Sequence, residues 1–337
     1  MTLSVITKLT TYFKTCPGSI ILPEGEDPRI QNAAIQLSKS GCFQKITLMG
    51  PPLKIRNDLS AINLETNSID VIDPQDKKLQ SICIEVLEAN LIAKGRVPDR
   101  SILKDVAKDS LYIAGALVKQ KKYSCALAGA TSTTSQVIRA ALHTVGLRTG
   151  FKTVSGSFIL ERIKEGRLDV FCFGDCGVVI DPSIDQLVDI AKSSADTFFQ
   201  IANQTPKVAF LSFSTKGSAV HPMSEKTAAA ANRFQNLYPE IACDGELQFD
   251  AATVLDVGKR KAPKSLVAGQ ANVLIFPDLN AGNIAYKIAE RLGGFRAYGP
   301  ILQGLSESFS DLSRGATADD IASSAIIGLA RANSRLS

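Results

Sequence analysis

Short runs of apolar, often β-branched residues alternate along this chain with longer stretches whose apolar positions recur at helical spacing, the pattern of βα units feeding a largely parallel sheet. The runs predict strands at 19–23, 45–49, 124–129, 170–173, 178–180, 207–213 and 272–276. Between them the periodic stretches predict helices over 28–39, 75–93, 101–121, 134–145, 183–202, 224–237, 281–292 and 319–332. Asp27-Pro28, Asp181-Pro182 and the Ser183 that precedes a periodic run are helix-start signals. The expected class is α/β, with mostly parallel sheets and helices on both faces.

At 337 residues the chain exceeds the size at which one hydrophobic core keeps growing, so two domains of roughly 150 residues are expected. The stretch 148–157, rich in Gly, Thr and Ser, is the best place to divide them. A second crossover is expected at 299–304, after which the final helix packs back on the first domain. The first domain is then discontinuous, 1–150 plus 305–337, the second is 151–304, and an active-site cleft is expected between them. No internal repeat or low-complexity tract occurs.

A hydrophobic content of 45% with 21% charged residues describes an ordinary globular protein. The net charge of +5 is spread over single or paired lysines and arginines, and the densest cluster is Lys259-Arg260-Lys261 with Lys264. That suits a small anionic ligand better than nucleic acid or a membrane surface. Seven cysteines, an odd number set mostly in apolar surroundings, point to a reducing compartment. Cys172 and Cys176 sit on extended chain, and with only His143 and His221 as histidines in the whole protein a zinc site is disfavoured. The N-terminal residues lack a cleavable-leader pattern, and no run approaches the roughly 20 apolar residues that span a bilayer. A cytoplasmic location is expected.

Absences narrow the chemistry. The 24 glycines never fall two apart, which excludes a G-x-G-x-x-G dinucleotide fingerprint. Gly258-Lys259 lacks the upstream glycine of a phosphate-binding P-loop, and there is no G-x-S-x-G elbow. With two histidines in all, a Ser-His-Asp triad is disfavoured.

The most telling stretch lies near the end: Asp311-Leu-Ser313-Arg314-Gly315, then Thr317 and Asp320 at the start of the last helix. A hydroxyl, a guanidinium and a carboxylate within eight positions can meet on one small anionic substrate if the chain turns at Gly315, a set suited to acyl or phosphoryl transfer. The same residues from Thr317 to Asp320 also form a helix-capping signature.

Six ordered segments carry a resemblance: LPEGEDPR (22–29), FLSFSTKGSA (210–219), DGELQFDAA (244–252), AGQANVLIFPDLNAGNIAYK (268–287), YGPILQGL (298–305) and DLSRG (311–315). Over residues 21–329 the chain resembles the phosphate acetyltransferases of the phosphate acetyl/butyryltransferase family. The resemblance implies reversible transfer of an acetyl group between acetyl phosphate and coenzyme A. It also implies a two-domain fold similar to that of isocitrate and isopropylmalate dehydrogenases, a homodimer, and no metal or cofactor beyond coenzyme A as substrate. Asp320, Ser313 and Arg314 match the family's catalytic Asp, Ser and Arg, and Arg139 matches a second family arginine.

These matches assign roles. Asp320 takes the thiol proton, Ser313 donates to the acyl carbonyl oxygen, and Arg314 holds the leaving phosphate with its planar fork; an ion pair of Arg314 with Asp311 or Asp319 is the alternative. Arg139 adds positive charge near a helix start. Arg29 either enters the cleft or pairs with Glu24 or Glu26. Ser214, Thr215, Lys216 and Gly217 form either an amide-rich lip for phosphate or coenzyme A, or simply a strand-to-helix turn, and Asn272 and Asn283 organise backbone. The chain departs from the family pattern at Leu91, Ser124 and the run Ser132 to Gln136, where relatives carry charged or acidic residues. Those departures leave two alternatives, transfer of another short acyl group such as butyryl and a non-catalytic relative that binds acyl phosphate or acyl-CoA.

Overall fold

The computed structural model describes residues 2–61 and 69–333, so residues 1, 62–68 and 334–337 of the expected first domain lie outside the described ones. The chain divides into two compact units. One, here the parallel unit, holds Ile6–Thr149 and the chain from Leu305 through the last helix; the mixed unit holds Gly150–Gly304 with the N-terminal residues up to Val5.

The parallel unit begins with α1 (Val5–Phe13), β1 (Gly18–Leu22), α2 (Pro28–Ser40), β2 (Phe43–Met49), α3 (Pro52–Ser60) and β3 (Ile69–Ile72). It continues through α4 (Lys77–Ala93), α5 (Arg100–Val106), α6 (Ser110–Lys119), β4 (Cys125–Ala128) and α7 (Thr134–Thr144). The mixed unit then supplies β5 (Ser155–Lys164), β6 (Arg167–Gly174), α8 (Ile184–Ala202), β7 (Lys207–Leu211), α9 (Pro222–Leu237) and β8 (Ala242–Leu247). Its remaining elements are α10 (Phe249–Thr253), α11 (Leu255–Lys261), β9 (Val273–Ile275), α12 (Leu279–Arg291) and β10 (Arg296–Gln303), after which β11 (Ser308–Asp311) and α13 (Ala318–Ala332) return to the parallel unit.

The parallel unit's sheet runs β11-β4-β1-β2-β3 with every neighbouring pair parallel. β4 reads CALA and is buried at all four positions, as a strand covered on both faces must be. The helices α2 and α13 pack together over β4, β1 and β2, and α6 and α7, backed by α4, lie against β4 and β11. This places the C-terminal ends of β1, β4 and β11 side by side, which is where parallel sheets present ligand-binding groups.

The mixed unit's sheet runs β10-β5-β6-β9-β7-β8, antiparallel in its first two pairings and parallel in the rest. Its β5–β6 hairpin turns on Glu165 and Gly166, both with positive φ, the geometry a tight two-residue hairpin requires. Gln303 is buried in β10 and fully used: it accepts from the hydroxyls of Ser155 and Ser194 and donates to Ser157, Thr197 and the Ser193 carbonyl. Removing its polar atoms strands several buried hydroxyls together. Gln303→Leu is expected to lower unfolding free energy by about 2–4 kcal/mol, seen as an earlier urea midpoint at unchanged slope.

Two sequence expectations are corrected. Residues 178–180 are not a strand, because the Asp175 carboxylate gathers the amides of Gly177, Val178 and Val179 at 2.6–3.0 Å and curls the segment into a loop. The helix expected over 101–121 is two helices, since the chain stops at Val106 and Asp109 caps a new start by accepting from the Leu111 amide. The segment 299–304 is β10 through Gln303, paired antiparallel with β5, and the chain passes into the other unit straight after Gly304, as the expected crossover had it. Among the described residues no helix is long and apolar enough to cross a membrane.

Candidate active site

Leu312, buried just past the end of β11, anchors a turn that leaves Ser313 and Arg314 exposed. The turn closes when the Ala316 amide donates to the Ser313 carbonyl at 2.9 Å. Thr317 then caps α13: the Asp320 amide donates to its hydroxyl, while its own amide and hydroxyl donate to Asp320 Oδ2 at 3.0 and 2.7 Å. The capping reading of this stretch holds, and the capping box uses Oδ2 and leaves Oδ1 outside these bonds. Ser313, Arg314 and Asp320 lie on one turn-to-helix junction. The ion-pair alternative for Arg314 is not realised, since among the described residues no carboxylate comes within 4 Å of its guanidinium. Asp311 instead accepts from Thr134, and Asp319 accepts from Gln36.

Arg29 has a different position from either expectation. Its five N–H groups donate twice to Asp27 and to the carbonyls of Ala130, Arg314 and Ala316, at 2.6–3.2 Å. It pairs with neither Glu24 nor Glu26, and no N–H is left for a ligand. The side chain is a clamp joining the start of α2, the loop after β4 and the turn that carries Ser313 and Arg314. Asp27, in turn, is held below its usual pKa chiefly by its hydrogen bond from Arg29.

Glu24, just beyond β1, fills the ring of amides that follows β4. It accepts from the backbone of Gly129, Ala130, Thr131 and Ser132 and from the Thr131 hydroxyl, at 2.7–3.1 Å. Burial pushes its carboxyl up, yet the bonds from Ser132, Thr131 and Ala130 outweigh burial and hold the pKa below the usual value. Such a ring of donors ahead of a helix is an anion site, and here the protein supplies the anion. The sequence signal was a carboxylate directly past a strand end in LPEGEDPR; only the fold shows what it meets.

Arg139 is exposed on α7, and among the described residues no carboxylate lies within salt-bridge reach of it. Its surroundings are cationic: His143 is pushed below its usual pKa by burial first, then by the charges of Lys94, Arg139 and Arg96. Arg139 and Arg314 thus offer uncompensated positive charge to an anion. A separate hollow of about 510 Å³ at the ends of β1, β2 and β3 is lined by Glu24, Glu26, Asp27, Asp73 and Asp109 among others, a lining that repels phosphate.

The positions of departure are locally satisfied. Ser124 immediately precedes β4, at the far end of the strand from Gly129, and exchanges hydrogen bonds with Ser19. Ser132 serves Glu24, and Thr133 with Gln136 forms a capping box on α7. Leu91 lines a small apolar slot on α4 with Leu87 and Leu103.

In the mixed unit, the polar residues after β7 fold onto their own neighbours. Ser214 is buried and donates to Glu246, the Gly217 amide donates to the same carboxylate, Thr215 meets Gln248, and Lys216 pairs with Asp244. The strand-to-helix turn describes them, and the free amide lip does not. Asn272 fixes backbone at Lys207 and Thr205, and Asn283 at Cys176.

Residues 4–329 match the family model described as "Phosphate acetyl/butaryl transferase". The chain is 39% identical to a phosphate acetyltransferase of Thermoanaerobacterium thermosaccharolyticum over 95% of this chain and 96% of that one. It is 38% identical to a phosphate acetyltransferase of Bacillus subtilis over 93% and 94%. A phosphotransacetylase structure from Streptococcus pyogenes superimposes with a TM-score of 0.89 at 37% identity, covering 98% of this chain and 99% of the other.

Proposed function

Because this chain belongs to the phosphate acetyl/butaryl transferase family, we propose that it is a phosphate acetyltransferase, moving an acetyl group reversibly between acetyl phosphate and coenzyme A. The observation that carries this is the full-length similarity to enzymes named for that activity. The exposed Ser313–Arg314 turn beside Asp320 supplies the chemistry.

Asp320 accepts the proton of the coenzyme A thiol through Oδ1, and the thiolate sulfur attacks the acetyl carbon. As the bond between the acetyl carbon and the bridging oxygen breaks, phosphate leaves with that oxygen and the electron pair, held by the Arg314 fork and by the field of Arg139. Ser313 donates to the carbonyl oxygen as charge builds there, lowering the barrier by about 3 kcal/mol. Transfer is direct, in a ternary complex. The thiols of Cys83 and Cys243 are pushed up to about 12 by burial, and those of Cys125 and Cys176 are also raised, so none of these is a ready nucleophile. A homodimer in the cytoplasm, and a fold like that of the isocitrate and isopropylmalate dehydrogenases, belong to the same reading.

Mixing pure protein with acetyl phosphate and coenzyme A is expected to produce thioester absorbance, with kcat/KM higher for acetyl than for butyryl phosphate. Calorimetric binding of either substrate without turnover would replace this reading with that of a non-catalytic relative.

A further inference from the structure

Asp311 ends β11, two residues ahead of Ser313. It is 1% exposed, yet its carboxylate is only half partnered. Oδ2 accepts from the Thr134 hydroxyl at 2.7 Å, while Oδ1 is buried with no hydrogen-bond partner. Among the described residues no lysine, arginine or histidine nitrogen comes within 4 Å of it. The charged group that bears on it is another carboxylate, Glu24; the nearest elements otherwise offer the Thr134 hydroxyl on α7 and the Leu312 amide. On the β4 side, Gly129 at φ +108° lies so close that a methyl there would collide with Oδ1.

A buried, unpaired carboxylate opposes folding, and an asparagine or leucine would serve a purely structural role better. What the carboxylate does have is position. Its backbone opens the turn that carries Ser313 and Arg314, and its side chain grips the first residue of α7, the helix that carries Arg139. We propose that Asp311 is a positioning residue: its ionised carboxylate ties the Ser313–Arg314 turn to the start of α7, and it is retained for that alignment at a loss of stability. The role in turnover rests on the acetyltransferase reading.

Burial pushes the Asp311 carboxyl up to about 6, with Thr134 and the Leu312 amide pulling the other way and Glu24 adding to the rise. The sign follows from a folded value above the unfolded 3.8. The protonated form stabilises the fold below pH 3.8, and that contribution is lost as pH rises through about 6.

Asp311→Asn keeps the size and one acceptor for Thr134 but removes the charge. Its melting temperature relative to wild type is expected to rise between pH 4 and pH 7 and to stay a few degrees higher at pH 8. In the acetyl-transfer assay its kcat is expected to fall about tenfold or more with KM values little changed, without the loss of activity on acidification through pH 6 that is expected of wild type. Thr134→Val, which cuts the same tie from the exposed helix side, should lower kcat in the same direction. The inference is overturned if Asp311→Asn is less stable than wild type at pH 8 with kcat within about twofold, or if it keeps the wild-type acid limb. The stability arm needs no turnover, so an inactive wild type would count against the acetyltransferase reading alone.

Discussion

Asp320→Asn is expected to lower kcat for acetyl transfer by about 10²–10⁴-fold and to leave the protein folded. A coenzyme A thiol is mostly protonated near neutral pH, so direct attack on an acyl phosphate depends on a base that takes its proton. The capping geometry makes the test clean. Asp320 also holds the Thr317 amide and hydroxyl through Oδ2, and an asparagine oxygen still accepts both, so the start of α13 survives. Steady-state rates with saturating acetyl phosphate, read beside the melting temperature, separate the two roles. A variant that melts like wild type and turns over at the wild-type rate would remove Asp320 from the chemistry and leave it a helix cap only.

Glu24→Gln is expected to destabilise the parallel unit by about 3 kcal/mol. The carboxylate accepts five bonds, four from consecutive backbone amides and one from the Thr131 hydroxyl. Glutamine replaces one acceptor oxygen with an NH₂ group, which then faces donors with a donor. The amides lose their anion, and the loop that positions the Ala130 carbonyl for Arg29 and leads into α7 loses its order. Denaturant unfolding at pH 8 should show an earlier midpoint at unchanged slope, with kcat/KM reduced as well. An unshifted midpoint would mean the ring of amides is held by its own turn.

The two carboxylates bend the acid stability profile in opposite directions. Glu24 has a folded pKa below its ordinary 4.5, so its contribution is fully present above that pH and is lost as pH falls through the lower folded value. Asp311 acts the other way, gaining stability as it protonates. Glu24→Gln therefore flattens the acid limb that Asp311→Asn sharpens.

The periodic pattern located most of the long helices, because an amphipathic stripe is a local property of the chain. It also found β4, a strand buried on both faces, whose continuous apolar run is what that position requires. It passed over β3, β5, β8, β10 and β11; of these, β8 and β11, ACDGEL and SFSD, are polar or glycine-containing and become strands only by joining a sheet already formed. Residues 178–180 look like a strand to any propensity rule, and become a loop because one carboxylate, Asp175, takes three consecutive amides.

The same division runs through the candidate site. Ser313, Arg314, Thr317 and Asp320 were legible because they are neighbours, and a turn followed by a capped helix start assembles them from local geometry alone. Glu24 and Arg29 were not: Glu24 finds its amides 105–108 residues away, and Arg29 reaches carbonyls as far as 287 residues away. Long polar side chains bond to whatever loops the sheet order brings to the same strand ends, and no spacing in the sequence encodes that choice. The sequence by itself determined the chemistry on offer and the elements that carry it. Tertiary structure decided which charges are already spent on the protein, as Arg29, Glu24 and Lys216 are, and which, like those of Arg314 and Arg139, meet no carboxylate among the described residues.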